Sequence, residues 1–182
     1  MTKPARMGEV VAVLMGVSGS GKSTIGERLA ADLGCVFLEG DDFHPAANVA
    51  KMKRGIALTT KDREPWLKSI AAKIDELLLA KKSAVFSCSA LQRAYRDIIV
   101  GDRPHVALVY LKGDYDLIQH RLQGRHGHFM PASLLKSQFD TLEEPTPDEH
   151  PIVADIAMPP LEICDQIMRQ LQERFGAKRR SA

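Results

Sequence analysis

The stretch VLMGVSGSGKST, residues 13–24, joins a short apolar run to a segment with helical spacing. Within it, residues 16–23 fit the pattern G-x-x-x-x-G-K-[ST] at every fixed position. Glycines remove the Cβ clashes that would keep several backbone N–H groups from converging on one point. The helix that follows adds free N–H groups and the positive end of its dipole. The stretch therefore predicts a phosphate-binding loop and not merely a turn between a strand and a helix.

Side chains at the end of this loop have separate predicted roles. Lys22 reaches the β- and γ-phosphates of a nucleoside triphosphate, the Ser23 hydroxyl ligates Mg²⁺, and Thr24 donates to the α-phosphate. The predicted nucleotide-binding residues of the loop are Gly16, Val17, Ser18, Gly19, Ser20, Gly21, Lys22, Ser23 and Thr24. These residues specify the phosphate donor and leave the acceptor open.

Short apolar strands alternate with amphipathic helices along the chain. Strands are predicted at residues 10–15, 35–38, 84–87, 106–111 and 152–157. Helices are predicted at residues 22–33, 62–80, 91–100, 114–123, 131–142 and 160–175, with a helical turn at 48–53. This alternation predicts right-handed βαβ units in an α/β, three-layer fold, with helices on both faces of a five-stranded parallel sheet. Ligands of such sheets bind at the carboxyl ends of the strands.

Length, charge and cysteine content narrow the class of protein. The 182 residues predict a single domain at 1–175 followed by a disordered basic tail at 176–182. The net charge is only +2, although residues 178–180 alone supply +3, so no nucleic-acid-binding face is expected. Three cysteines without a CxxC pair favour reduced thiols in the cytoplasm. The apolar run at 10–15 is too short to span a membrane and leads into the glycine loop, so neither an anchor nor a signal peptide is expected.

Carboxylates follow the second predicted strand, in the stretch LEGDDFHP at residues 38–45. Glu39 and Asp41 are two residues apart, so both can point from one side of the strand end toward the phosphate loop. A carboxylate there can hold the waters of Mg²⁺ or accept a proton from an attacking hydroxyl. The alternatives are a solvated acidic turn with Asp42 as a helix N-cap, and a loop-packing role for His44.

Seven stretches between residues 15 and 145 make the chain resemble the gluconokinases of the small P-loop type, which phosphorylate D-gluconate at O6 with ATP. They are MGVSGSGKST, GDDFHPAANVAKM, DREPWL, CSALQRAYRD, YLKGDYD, GRHGHFMP and QFDTLEEP. The first is shared by many P-loop proteins, whereas the next three are far more specific, and shikimate kinases lack these later motifs. The resemblance implies a P-loop kinase fold with a lid, ATP and Mg²⁺ as cofactors, and a homodimer.

The resemblance also implies the acceptor side of the site, at about residues 41–66. Asp41 orients and deprotonates the 6-hydroxyl of gluconate, with Glu39 nearer the Mg²⁺ shell, although the family often has Asp at that position. A polyhydroxy acid needs many donors and a cation for its carboxylate. The implied substrate-binding residues are Asp41, His44, Lys51, Arg63, Arg96 and His128, with Arg63 and Arg96 as the preferred cations.

Three of these positions have structural alternatives. Lys51 can lie on a solvated helix face, and Arg63 can form an exposed pair with Glu64. Trp66, the only tryptophan, is expected to anchor its helix to the core instead of stacking on a sugar.

The stretch RLQGRHGHF predicts a lid at about residues 121–131. Arg121 and Arg125 are four residues apart at the end of a helix, and Gly127 is a plausible pivot. Such a segment can close over ATP, exclude water and bring guanidinium charge to the transferring phosphoryl group. The alternative is a pair of favourable cations at a helix C-terminus. In the loop after the last strand, Pro159 is expected beside the adenine.

The leading hypothesis is an ATP:gluconate 6-phosphotransferase. Its predicted catalytic residues are Asp41, Lys22, Arg125 and Arg121, and its predicted metal ligands are Ser23 and Glu39. One alternative is another small-molecule kinase of the same fold, such as a shikimate-like or nucleoside monophosphate kinase. A more remote alternative is a nucleotide-dependent switch that has no phosphoryl acceptor.

Overall fold

A computed structural model describes residues 8–124 and 132–176, without the side chains of residues 132 and 133. Its strands are β1 (Val11–Met15), β2 (Val36–Glu39), β3 (Ala84–Ser87), β4 (Val106–Lys112) and β5 (Ile152–Asp155). Its helices are α1 (Lys22–Leu33), α2 (Ala46–Lys53), α3 (Thr60–Leu79), α4 (Arg93–Ile99), α5 (Tyr115–Gln123), α6 (Ala132–Thr141) and α7 (Pro160–Phe175). Short 3₁₀ turns at Gly40–Phe43 and Pro147–Glu149 complete the described elements.

The strands form one parallel sheet in the order β2-β3-β1-β4-β5. The central strand β1 pairs with β3 on one side and β4 on the other, so that Val13 lies opposite both Phe86 and Leu108. Non-consecutive neighbours in a parallel sheet require crossover connections, which the intervening helices supply. The carboxyl ends of β1, β2 and β3 therefore lie side by side, as the fold prediction requires.

Each face of the sheet has its own apolar core. Ala12 and Leu14 of β1 pack into one core with residues of α1, α5, α6 and α7, whereas Val11, Val13 and Met15 pack into the other with α3 and α4. All five β1 residues are fully buried. A strand covered on both faces reads as a continuous apolar run, which is why β1 shows no alternation. The predicted three-layer αβα architecture is confirmed.

The helix boundaries differ most from the prediction around residues 46–65. A full helix, α2, replaces the predicted turn at 48–53, and α3 starts at Thr60 because Thr59 and Asp62 form a capping box. Pro65 therefore lies in the second turn of α3 and not in its first. Proline has no backbone N–H, so one hydrogen bond of the helix is missing at that position. Tertiary contacts of α3 must compensate for the stability that is lost. Within the described ranges, no helix combines the length and apolarity that crossing a bilayer needs.

Candidate active site

The loop between β1 and α1 has the backbone that its glycines predict. Gly16, Gly19 and Gly21 have φ angles of 149°, 84° and 90°, a region that residues with a Cβ rarely adopt. A Cβ at Gly19 would also lie 2.9 Å from Cγ of Leu122, on α5. Gly21 is the N-cap of the 12-residue helix α1, whose free N–H groups face the loop. The loop geometry therefore supports the predicted phosphate site.

Lys22 lies folded into this loop. Its Nζ donates to the carbonyl oxygens of Gly16 at 2.9 Å and Val17 at 3.0 Å. Burial lowers the pKa of Lys22, while the carboxylates of Asp41 and Glu39 act in the opposite direction. Both predicted carboxylates lie at or just after the end of β2, at the same edge of the parallel sheet as the phosphate loop. The exposed residues Ser23 and Thr24 follow in the first turn of α1.

Glu39 is fixed at the end of β2 by the neighbouring strand. It lies opposite Ser87 of β3, and the Ser87 hydroxyl donates to its carboxylate. Ser87 is only 3% exposed, so it orients one carboxylate oxygen from inside the protein. Sequence reasoning did not identify Ser87, because its role depends on the register between β2 and β3.

Asp41 is exposed in the 3₁₀ turn after β2, but the backbone before it is tightly held. The indole N–H of Trp66 donates to the carbonyl of Gly40 at 2.7 Å. On the other side, a Cβ at Gly40 would lie 2.3 Å from the carbonyl oxygen of Ser87, so only glycine fits there. Trp66 is 1% exposed, which confirms its predicted anchoring role. It also fixes the backbone that carries Asp41.

Predicted substrate-side residues form a connected polar network between the segment before α2, α2 itself and the start of α3. The His44 ring stacks on Trp66 with centroids 4.3 Å apart, and its Nδ1 is 3.3 Å from Nδ2 of Asn48. Nδ2 of Asn48 also donates to the carbonyl of Asp62 at 2.7 Å. Lys51 forms an ion pair with Asp62 at 2.7 Å. The structure thus brings His44 and Lys51 together, but their polar groups already bond within the protein.

Two pKa shifts follow from this network. The Lys51 hydrogen bond, with smaller contributions from Thr59, lowers the pKa of Asp62 to about 2. Burial lowers the pKa of His44, the Arg63 charge adds to this effect, and the Asp41 carboxylate opposes it. At neutral pH His44 is therefore a neutral ring that can donate or accept a hydrogen bond.

Arg63 remains a candidate cation for a substrate carboxylate. Its guanidinium carbon lies 6.0 Å from the centroid of the Tyr95 ring, and its Nε is 3.4 Å from the Leu58 carbonyl oxygen. The alternative pair with Glu64 is not formed, because Glu64 binds Lys68 at 2.6 Å. Arg63 also lowers the pKa of His44, after the larger effect of burial.

The prediction that Arg96 binds the substrate carboxylate is wrong for this structure. Arg96 is 2% exposed, and its Nε and Nη2 donate to both carboxylate oxygens of Glu149 at 2.5 and 2.9 Å. Its Nη1 donates to the carbonyl oxygens of Ala90 and Leu91. Ala90 has a φ of 43°, an uncommon backbone for a non-glycine residue. Arg96 therefore stabilises the loop after β3 from the protein interior.

A cavity of about 280 Å³ opens beside the phosphate loop. It is lined by Gly19, Ser20, Gly21, Thr24, Ile25, Arg121, Leu122, Met158, Pro160 and Ile163. Arg121 contributes to this wall, and its Nη2 donates to the Ile156 carbonyl at 2.5 Å. Pro159, the N-cap of α7, lies between two lining residues. Predicted residues Arg125 and His128, with most of the predicted lid, lie outside the described residues, as does nearly all of the basic tail.

Oxygen donors at this edge of the sheet fit a Mg²⁺ ion. Among the described residues, no three His, Cys, Asp or Glu side chains are grouped so that they could hold a metal by themselves. Mg²⁺ commonly takes one or two protein oxygens and completes its shell with waters and substrate phosphates. The Ser23 hydroxyl and the carboxylates of Glu39 and Asp41 are such donors. Cys88 is not one, because it is buried and burial raises its pKa to about 12.

Three features together define a P-loop kinase: a glycine-rich phosphate loop, a lysine folded into that loop, and carboxylates at the end of β2 and in the turn that follows it. A family model described as an AAA domain matches residues 11–145. The thermosensitive gluconokinase of Escherichia coli is 45% identical over 175 residues, covering 93% of this chain and 94% of that protein. The chain belongs to the gluconokinase family.

Solved structures agree with this assignment. A sugar kinase from Janibacter in its unliganded state has a TM-score of 0.83 and 45% identity, covering 90% of this chain and 95% of that one. A gluconokinase from Sinorhizobium meliloti has a TM-score of 0.79 and 43% identity, covering 92% and 94% of the two chains. The similarity therefore extends over nearly the whole sheet and both helix layers.

Proposed function

We propose that this protein transfers the γ-phosphate of ATP to O6 of D-gluconate, giving 6-phospho-D-gluconate and ADP. The observation that carries the proposal is that the phosphate loop after β1 and Asp41 after β2 lie at the same edge of one parallel sheet, in a chain 45% identical to a gluconokinase. The loop holds the donor, and the carboxylate offers a base to an acceptor hydroxyl.

On the donor side, the loop amides and Lys22 bind the phosphates of ATP. Lys22 exchanges its hydrogen bonds to the carbonyls of Gly16 and Val17 for bonds to the β- and γ-phosphates. The cavity between α5 and α7 receives the adenine, beside Arg121 and Pro159. In this proposal Arg121, together with Arg125, also offers positive charge to the phosphoryl group in transfer.

On the acceptor side, Asp41 takes the proton of the 6-hydroxyl while O6 of gluconate attacks the γ-phosphorus. The bond from that phosphorus to the bridging oxygen of ADP breaks, and ADP leaves with the electron pair. Arg63, His44 and Lys51 bind the carboxylate and hydroxyls of gluconate, a set of donors that suits a polyhydroxy acid. Trp66 keeps the backbone before Asp41 in place through Gly40.

Mg²⁺ is the proposed metal, with Ser23 and Glu39 as its protein oxygens. When bound, it supplies positive charge that neutralises the β- and γ-phosphates. The Ser87 hydroxyl orients the Glu39 carboxylate for this contact. We further propose a cytoplasmic location, in line with the free thiols, and no nucleic-acid partner, in line with the low net charge. The proposed homodimer rests on the resemblance to gluconokinases.

A coupled assay for ADP over several acceptors tests the proposed activity. Gluconate, shikimate, glycerate and nucleoside monophosphates are compared at equal concentration with Mg·ATP. We expect turnover on gluconate well above that on the other acceptors. Turnover on shikimate or a nucleotide without turnover on gluconate would indicate another kinase, and acceptor-independent hydrolysis alone would indicate a nucleotide-dependent switch.

A further inference from the structure

Gln138, on α6, makes two hydrogen bonds to Ser18 of the phosphate loop. The Ser18 N–H donates to Oε1 of Gln138 at 2.7 Å, and Nε2 of Gln138 donates to the Ser18 hydroxyl at 3.0 Å. The backbone donor fixes which amide atom faces it, since only Oε1 can accept from an N–H. The backbone N–H of Ser18 points at Gln138 and not into the loop. It therefore holds the loop in place instead of binding a phosphate.

The helix that carries Gln138 is held on two sides. Leu135 is 1% exposed in the core, and Phe139 packs edge-on against Tyr115 with ring centroids 5.4 Å apart. Directly after α6, the N–H of Glu143 donates to the Leu91 carbonyl at 2.9 Å. Gln138 therefore reaches the loop from a well-packed support, and its two bonds restrain Ser18 relative to the core.

The phosphate loop needs such restraint because of its composition. Three glycines between residues 16 and 21 lose more conformational freedom on ordering than other residues would. Three further bonds hold the loop: the Gly16 N–H donates to the Ser89 carbonyl oxygen, and Nζ of Lys22 donates to the carbonyl oxygens of Gly16 and Val17. Lys22 must give up at least part of its bonding when it turns to a triphosphate. The Gln138 bonds are independent of that exchange.

We propose that Gln138 is a positioning residue that preorganises the phosphate loop for the nucleotide through Ser18. The proposal rests on the nucleotide site proposed above. It gives a role to the stretch QFDTLEEP, which the sequence singles out without a function. Holding the loop in its binding conformation lowers the ordering cost of association, so its loss appears in nucleotide affinity.

Calorimetric titration with Mg·ADP tests the proposal. Gln138→Ala removes both bonds and should weaken Mg·ADP binding about tenfold, as two net hydrogen bonds predict. Ser18→Ala removes only the hydroxyl bond and should weaken binding about threefold. The double variant should bind no more weakly than Gln138→Ala alone, because both substitutions act on one linkage. Lys136→Ala, on the same helix and in an exposed pair with Asp140, should bind as the wild type does.

Three readouts separate this role from general stabilisation. The KM for gluconate at saturating ATP should not change in Gln138→Ala, whereas the KM for ATP should rise. A lower melting temperature with unchanged Mg·ADP affinity would overturn the proposal, as would full additivity of the two single variants. Wild-type protein that binds Mg·ADP but does not phosphorylate gluconate would refute the proposed activity and leave the role of Gln138 standing.

Discussion

The donor and acceptor halves of the site are built from different kinds of groups. The donor half, residues 16–24, presents backbone N–H groups whose directions depend on glycine φ angles. The acceptor half, residues 41–66, presents side chains that already bond to one another, such as Lys51 with Asp62. A backbone site is specified by local sequence, whereas a side-chain site depends on tertiary partners. The backbone of the donor half therefore already has its binding conformation and only Lys22 must exchange bonds there, whereas several side chains of the acceptor half must exchange internal bonds for substrate bonds.

The largest expected effect tests whether Asp41 is the chemical centre of the acceptor half. Asp41→Asn keeps the shape and removes the base, so turnover on gluconate should fall about 10²- to 10⁴-fold. Binding of Mg·ADP should remain close to wild type, because the donor half is unchanged. Steady-state kinetics and calorimetry measure the two effects separately.

Asp42→Asn is the matched control for this substitution. It is adjacent, exposed and in the same 3₁₀ turn, and its turnover should match the wild type. Equal losses in both variants would remove Asp41 from the role of base and indicate a general effect of charge in this turn.

The next largest effect is expected on the free energy of unfolding. It tests whether the Arg96–Glu149 pair holds the loop after β3, to which the phosphate loop is bonded through Gly16 and Ser89. Glu149→Gln leaves the buried Arg96 charge uncompensated, so the free energy of unfolding should fall by about 3 kcal/mol. The Arg96 hydrogen bond lowers the pKa of Glu149, so wild-type stability from this pair is present above the ordinary pKa of glutamate. That stability should be lost as the pH falls through the lowered value, and the variant should lack this dependence.

Urea unfolding between neutral and acid pH measures both parts of this prediction. Asp148→Asn, in the exposed pair with Arg93, serves as the control and should leave the free energy of unfolding nearly unchanged. If Glu149→Gln behaved like this control, the Arg96–Glu149 pair would not support the loop after β3.

A smaller effect is expected from Trp66→Phe, which tests how the acceptor half is held. The substitution leaves the buried Gly40 carbonyl without its donor, so the free energy of unfolding should fall by about 1–3 kcal/mol. Turnover on gluconate should fall, with Mg·ADP affinity unchanged. Ile70→Val, a core change in the same helix, should cost about 1 kcal/mol without affecting turnover. If the two variants had equal turnover, the Trp66 bond would not position Asp41.

The smallest effect distinguishes a substrate contact from an internal pair at Lys51. Lys51→Met removes the hydrogen bond that holds the pKa of Asp62 at about 2, so this pKa should rise toward the ordinary range of aspartate. If Lys51 also binds gluconate, the KM for gluconate should rise by at least about threefold. Lys53→Met, on an exposed part of the same helix, is the control. An NMR titration of Asp62 and gluconate kinetics give the two measurements, and an unchanged KM would leave Lys51 a structural residue.

The sequence predicts the donor half of the site better than the acceptor half. The phosphate loop, α1, β3 and α7 lie where local patterns place them, because period and glycine content are local signals. The resemblance implied that Arg96 is a substrate cation, and the sequence could not show its pairing with Glu149, because the two residues are 53 positions apart. Ser87 was not identified for the same kind of reason, since only the register between strands brings it to Glu39. Polar residues in a motif therefore indicate that a site is present, but the sequence alone does not show which of these residues contacts the ligand.

The stacking of Trp66 on His44 has a practical consequence. Trp66 is the only tryptophan in the chain, so its fluorescence reports from the acceptor half alone. A protonated imidazole quenches a neighbouring indole more strongly than a neutral one does, so emission follows the protonation of His44 and its stacking on Trp66. The intrinsic fluorescence of Trp66 should therefore change when an acceptor displaces His44, and it should hardly change when a nucleotide binds.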